Sequence, residues 1–362
     1  MARRAERRQA ERVVRAKALA LAALGAGGLL AACAQPVCGG CGPGAWPAPP
    51  PSGTLFVANK RGDSLSRIDL STGEETHRAE TCEDPHELTV SPDRRYVMVA
   101  CYSGRTLEIY RTGDLARAGV QELGEGARVH SALWLEDDRV IAGAEGRGSL
   151  YRIGLRMVDG DVPPVVSLKE IGGGGAGPHL LAVAPDGKRA WGTIIPSGEV
   201  VRYDLAEGEE VIRRRIGEQI EAIALAPDGA SLWVASNADS IAYRLDPVTL
   251  EVQAEVETGA VPIRLAMHPS GDYVVSSNVG SGDLSVIDTR TNRVVRTIPV
   301  SGNPQAVQVT LVFGADGSRL YAAETGTDTI AEVDFASGRV LRRIPTGEGG
   351  DGLAILEGER AR

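Results

Sequence analysis

The chain has 362 residues, is 43% hydrophobic and carries a formal net charge of −9. That is enough apolar material for a sizeable core, and a charge that disfavours nucleic acid or any other polyanion as a partner. Only 4% of residues are aromatic while 45 are glycine, a balance that suits many short strands joined by turns in one long all-β unit.

The first element is an address. Residues 1–17 are rich in arginine, and residues 18–32 (ALALAALGAGGLLAA) are small and apolar. A charged segment before a short apolar run reads as an export signal, since a membrane-spanning helix needs roughly 20 apolar residues. The run ends in Leu30-Ala31-Ala32-Cys33, which resembles the bacterial lipobox. The resemblance implies that residues 1–32 are removed, that Cys33 is lipidated, and that the chain is held to the cell envelope by its lipid. Ala34 in the next position would suit the outer membrane. Residues 33–53 are dominated by Pro and Gly and read as a tether. Cys38 and Cys41 within it could close a small disulfide or hold a metal opportunistically.

From residue 54 to 360 the sequence repeats. An apolar strand ending in a Pro-Asp-Gly-like turn recurs as HELTVSPDRR (86–95), HLLAVAPDGKR (179–189), EAIALAPDGAS (221–231) and IRLAMHPSGDY (263–273). Degenerate copies occupy 130–139, 305–319 and 351–360. A second strand follows each turn (YVMVAC, LWVASN, YVVSSN), then a third (IAYRLDP, LSVIDT) and a fourth (VVRTIPV, VLRRIPT). Four short strands per unit, with Ala184, Ala226 and His268 spaced 42 residues apart, predict propeller blades. Seven copies of the first strand and seven of the second predict a seven-bladed β-propeller. The chain enters on a second strand and leaves on a first strand. Its C-terminal strand should therefore be innermost in the N-terminal blade, which removes an open sheet edge.

The phrasing of the repeat, best seen from Tyr273 to Pro304, resembles the YVTN-type propeller repeats. Some propellers of that kind are lactonases and others carry metal at the channel mouth, so the resemblance implies the fold firmly and a function only loosely.

The innermost strands line the channel, and their first residues form its rim. Counting back five from the residue before each Pro turn gives His86, His130, His179, Glu221 and Ile263. Gln305, counted from Pro304, and Asp351 or Gly352 complete the ring. Three of the five histidines in the chain fall on this ring in consecutive blades, next to a glutamate. Such a set suits zinc, copper, iron or nickel, and equally suits acid–base chemistry by an imidazole near neutrality. Repeat duplication and simple capping of strand ends remain open as an explanation. The second strands end at the same rim and offer Asn59, Lys60, Tyr102, Glu145, Arg147, Asn237, Asn278 and Glu324. His77 and His268 read as structural.

Cys82 precedes the first strand of a blade and Cys101 ends the second strand of the same blade. Antiparallel pairing would bring them together, so a disulfide is expected; a thiolate ligand near His86 is the alternative. No Gly-rich loop precedes a helix, and neither a G-x-S-x-G elbow nor an H-E-x-x-H motif occurs. The expectation is a membrane-tethered, extracytoplasmic, monomeric propeller. It would bind an envelope protein or small ligand, or else act as a lactonase-like or metal-dependent enzyme through its histidine ring.

Overall fold

The structure is a computed structural model that describes residues 52–156 and 164–358. The leader, Cys33, and the tether cysteines Cys38 and Cys41 lie outside the described residues. Twenty-eight strands form seven four-stranded antiparallel sheets. Six sheets use four consecutive strands in order. The seventh combines the last strand, β28 (Gly350–Glu357), with the first three, β1 (Gly53–Asn59), β2 (Ser64–Asp69) and β3 (Glu74–Glu80), in the order β28-β1-β2-β3. The expected propeller and its closure are therefore present. Among the described residues the only helical elements are single 3-10 turns at Glu145–Arg147 and Pro304–Ala306.

The turn chemistry explains the repeat. In the APDG turn the Ala184 amide donates to the Arg189 carbonyl at 2.9 Å and the Gly187 amide to the Ala184 carbonyl at 2.8 Å. Gly187 has φ +64° and Gly229 φ +70°, the left-handed region that glycine enters without a Cβ penalty. Between third and fourth strands an aspartate organises the turn: Asp288 accepts from the amides of Arg290 and Thr291 at 3.0 and 2.7 Å. Such Asp-led turns are why the repeat carries an Asp at the end of the third strand.

Seven buried apolar clusters lie between neighbouring blades. One packs Met98, Leu107 and Ile109 of the second blade against Trp134, Val140 and Tyr151 of the third. Another joins Leu55 and Ile68 of the N-terminal blade to Tyr321 and Ile330 of the last. Apolar burial thus holds blade to blade, while backbone hydrogen bonds hold each blade together. The outermost strands are mostly exposed, as in β3.

The inner strands share one irregularity. Six of the seven slip register against the second strand near their starts: at Asp351–Gly352, His86–Glu87, His130, Glu221, Ile263 and Val309–Thr310. A bulge re-aims the side chains it carries. Here each sits at the same end of the channel.

Closure makes a prediction. Removing residues 353–362 deletes most of β28, exposes the inner edge of β1 and opens the cluster to which Leu353 belongs. The truncated chain should lose its cooperative thermal transition, whereas a deletion confined to 359–362 should leave it intact; calorimetry of both variants checks this.

Candidate functional site

The bulges gather the predicted histidines into one cluster. His86 sits in β4 (Pro85–Val90), His130 in β8 (Val129–Trp134), and His179 just before β12 (Leu181–Val183). Ring centroids lie 4.7 Å apart for His86 and His130 and 3.6 Å apart for His130 and His179. Tyr102 completes the wall, 4.8 Å from His86 and 5.3 Å from His130. The Arg128 guanidinium lies 4.6 Å from the Tyr102 ring centroid and donates to its hydroxyl.

Charged groups surround the rings. His179 Nδ1 is 3.1 Å from Glu145 Oε2. Its Nε2 is 3.3 Å from Glu221 Oε1, at ion-pair distance but without hydrogen-bond alignment. Glu221, in β16 (Ile220–Leu225), also accepts from Asn237 at 2.6 Å and from Arg264 at 2.8 Å. Arg264, in β20 (Pro262–Met267), reaches across the channel to Glu87 of β4 at 3.1 Å. Lys60 pairs with Asp351 at 2.6 Å, and Thr310 donates to the same carboxylate at 3.1 Å. Gly352 lets the backbones close up, because a Cβ there would lie 1.7 Å from the His86 carbonyl oxygen.

Burial and neighbouring charge split the histidines. Burial, reinforced by Lys60, pushes His86 down to about 4. Burial, with His179 and His86 beside it, holds His130 well below the usual imidazole value. Burial would depress His179 too, but the Glu145 and Glu221 carboxylates beside its two ring nitrogens outweigh it and raise its pKa. Burial opposes ionisation of Glu221, yet His179 and Arg264 bring it down to about 2. Tyr102 is pushed up to about 12 by burial and by Glu145. The raised His179 therefore lies 3.6 Å, ring centroid to ring centroid, from the depressed His130, whose other histidine neighbour is the depressed His86. The His130 Nδ1 atom is buried and has no hydrogen-bond partner.

The profile of the YNCE-like beta-propeller family matches residues 11–360. This chain belongs to that family. Two relatives, each called "Uncharacterized protein YncE", come from Escherichia coli O157:H7 and Escherichia coli strain K12. They are 23% and 24% identical over 122 residues, about a third of this chain (32%) and of each relative (34%). Among solved structures, dihydro-heme d1 dehydrogenase NirN in complex with DHE is similar with a TM-score of 0.59 and 14% identity, over 85% of this chain and 77% of that one. That likeness concerns the fold.

Within this YNCE-like propeller, His86, His130, His179 and Glu221 meet, and Asp351 joins them. Ile263 marks the right strand but only half-buries, while its neighbour Arg264 points into the cluster. Gln305 lies outside it, exposed on the 3-10 turn Pro304–Ala306. The inner strand of that blade starts three residues later, at Gln308. Of the rim residues, Lys60, Tyr102, Glu145 and Asn237 belong to the cluster. Asn59 and Asn278 are buried and bond to nearby strand serines. Arg147 pairs with Glu170, and Glu324 with Arg343. His77 is exposed in β3, and His268 packs against Phe335 and Phe313. Glu87, Arg264 and Arg128 went unread in the sequence. A charge inside the apolar stretch IRLAM was the available signal for Arg264.

Cys82 and Cys101 form a disulfide with Cα atoms 5.8 Å apart, so neither sulfur is a free thiolate ligand for the site. The bond ties together the two segments that carry His86 and Tyr102.

Stability should follow the split titration. A histidine whose folded pKa is depressed contributes stability that is present above about pH 6.5 and lost as pH falls toward the folded value. His179 has the opposite sign: its contribution is complete below about pH 6.5 and fades as pH rises through its raised folded value. His86 alone should cost about 2 kcal/mol between pH 7 and pH 5. Urea unfolding at both pH values should show His86→Gln losing correspondingly less than wild type; an unchanged loss would contradict the assignment.

Proposed function

We propose that this protein is an extracytoplasmic ligand-binding propeller whose binding face is the histidine-lined mouth of the channel. The observation that carries the reading is the cluster itself. Three nearly buried imidazoles, an arginine, a lysine and four carboxylates sit at one end of the channel. Burying charge is costly even when it is paired, and apolar replacement is often neutral or stabilising. The apolar interfaces between blades already hold the ring, so a binding role is the physical reason to keep these groups. The Arg264–Glu87 bridge crosses the channel, and under this reading it closes the floor of a cup at the channel mouth.

Location outside the cytoplasm is supported by the Cys82–Cys101 disulfide, since such bonds persist in oxidising compartments. The leader and Cys33 lipidation extend that reading to an envelope-tethered protein, with the outer membrane as its place. No helix among the described residues is long and apolar enough to cross a membrane.

A second reading is hydrolysis, in the manner of a lactonase. His130, held below the usual imidazole value, and His179, held above it, lie 3.6 Å apart between ring centroids and would supply a base and an acid side by side, the pattern of groups whose environments push their pKa values apart. Under this reading His130→Gln would lower lactone or ester turnover at least tenfold without lowering the melting temperature.

Native mass spectrometry of the full-length protein from its own envelope tests the binding reading. Wild type should carry a non-covalent small ligand or ion, and a folded His86→Ala/His130→Ala/His179→Ala variant should carry none. Bare protein in both would overturn it.

A further inference from the structure

A cleft opens between the sixth and seventh blades, at the end of the strands away from the histidine cluster. It is lined by His268, Tyr273, Val286, Val295, Arg296 and Phe335. Its volume is about 430 Å³, within the roughly 300–1,000 Å³ of small-molecule sites. His268 follows the last residue of β20, where the same turn has Ser91, Ala184 or Ala226 in other blades.

The repeat explains the space. Val286, in β22 (Asp283–Asp288), lies opposite Arg296 of β23 (Arg293–Pro299). The matching pair in the seventh blade is Glu332 and Arg342, with the Glu332 carboxylate 2.6 Å from Arg342 Nε. In two further blades the residue two before the turn aspartate is Arg67 or Arg244, long enough to donate to a carbonyl of the next blade. Valine in place of a long charged side chain leaves this interface unfilled, and it leaves Arg296 without the carboxylate that its counterpart has. Arg296 donates instead to the carbonyls of Phe335 at 2.6 Å and Ala336 at 2.8 Å. Those bonds use two of the five guanidinium N–H groups, and no carboxylate pairs with Arg296 among the described residues.

The walls are rings held in place. The Arg296 guanidinium lies 4.9 Å from the Phe335 ring centroid. His268 stacks on Phe335 at 5.0 Å, and Tyr273 stands edge-on to His268 and Phe335 at 6.0 and 5.8 Å. His268 Nδ1 accepts from the Ser270 amide at 3.1 Å, and its ring fits because residue 317 is glycine, where a Cβ would collide with Nε2.

We infer that this cleft binds a planar aromatic carboxylate, with its ring against His268, Tyr273 and Phe335 and its carboxylate on Arg296. Aromatic walls favour offset or edge-on contact with another ring. A carboxylate matches the fork of a guanidinium, and it supplies Arg296 with the charge that Glu332 supplies to Arg342. The site shares no residue with the channel mouth and does not rest on the function proposed for it.

The full chain is titrated by calorimetry with 2-naphthoate and, separately, with the neutral 2-naphthamide. Bound naphthoate is located by intermolecular nuclear Overhauser effects to the Val286 and Val295 methyl groups. One equivalent of naphthoate should bind, with naphthamide at least tenfold weaker. Arg296→Gln should lower naphthoate affinity at least tenfold and leave naphthamide affinity unchanged. Val286→Glu, which rebuilds the pairing of Glu332 with Arg342, should keep the melting temperature and abolish naphthoate binding. The His86→Ala/His130→Ala/His179→Ala variant should bind naphthoate as wild type does. No saturable binding of naphthoate, equal affinity for naphthamide, or undiminished binding in Arg296→Gln would overturn the proposal. Loss of binding in the triple histidine variant would place naphthoate at the channel mouth and overturn it as well.

Discussion

Everything at the channel mouth depends on the pairing of β28 with β1. Side chains at the starts of seven inner strands converge only if the ring is closed. Closure here is achieved by running the last strand antiparallel to the first, from Gly53 opposite Glu357 to Asn59 opposite Gly350. The same pairing delivers Asp351 to the cluster, where it meets Lys60 from the far end of β1. The site therefore includes a residue near the chain's C-terminus and one near the start of the propeller. A chain that failed to close would lose an ion pair and gain an open sheet edge.

Closure sets position, and the bulges set aim. In a regular inner strand, alternate side chains point to the two faces of the blade, where neighbouring blades pack on them. The register slip places His86, His130, Glu221 and Asp351 where the ladder is broken, which frees their side chains from the interface between blades. The consequence is electrostatic. Groups that the fold would otherwise leave in solvent are brought into a confined space, where they set one another's charge: Glu145 and Glu221 keep His179 protonated, and His179 in turn helps keep His130 neutral. Arg264 joins opposite sides of the ring through Glu87 and Glu221, so the far blades are tied through the cluster as well as around the perimeter.

The fold was legible because the repeat writes its turns in residues with strong local preferences: Pro-Asp-Gly between first and second strands, Asp-x-x-Thr between third and fourth. Cys82 and Cys101 were legible for the same reason, since knowing the strand order places them side by side. The histidines could be found because one count from the turn applies in every regular blade. It failed for Gln305, where the count was anchored on Pro304. Pro304 opens a 3-10 turn, and Val307 follows with φ 48°, so the strand begins later. The same five-residue count from Gly314 would have reached Val309, an apolar residue. Arg264 and Glu87 were hidden for a different reason. At a bulge two consecutive residues share one position, and sequence alone does not say that Arg264 rather than Ile263, and Glu87 as well as His86, joins the cluster.

The central claim is that one imidazolium and two neutral imidazoles share this cup. Nitrogen-15 nuclear magnetic resonance of the histidine rings at pH 6.5, assigned by single substitutions, tests it directly. The account predicts a protonated signature for His179 and neutral signatures for His86 and His130 at that pH, with His86 still neutral at pH 5. A neutral His179, or protonation of His86 and His130 near pH 6.5, would contradict it.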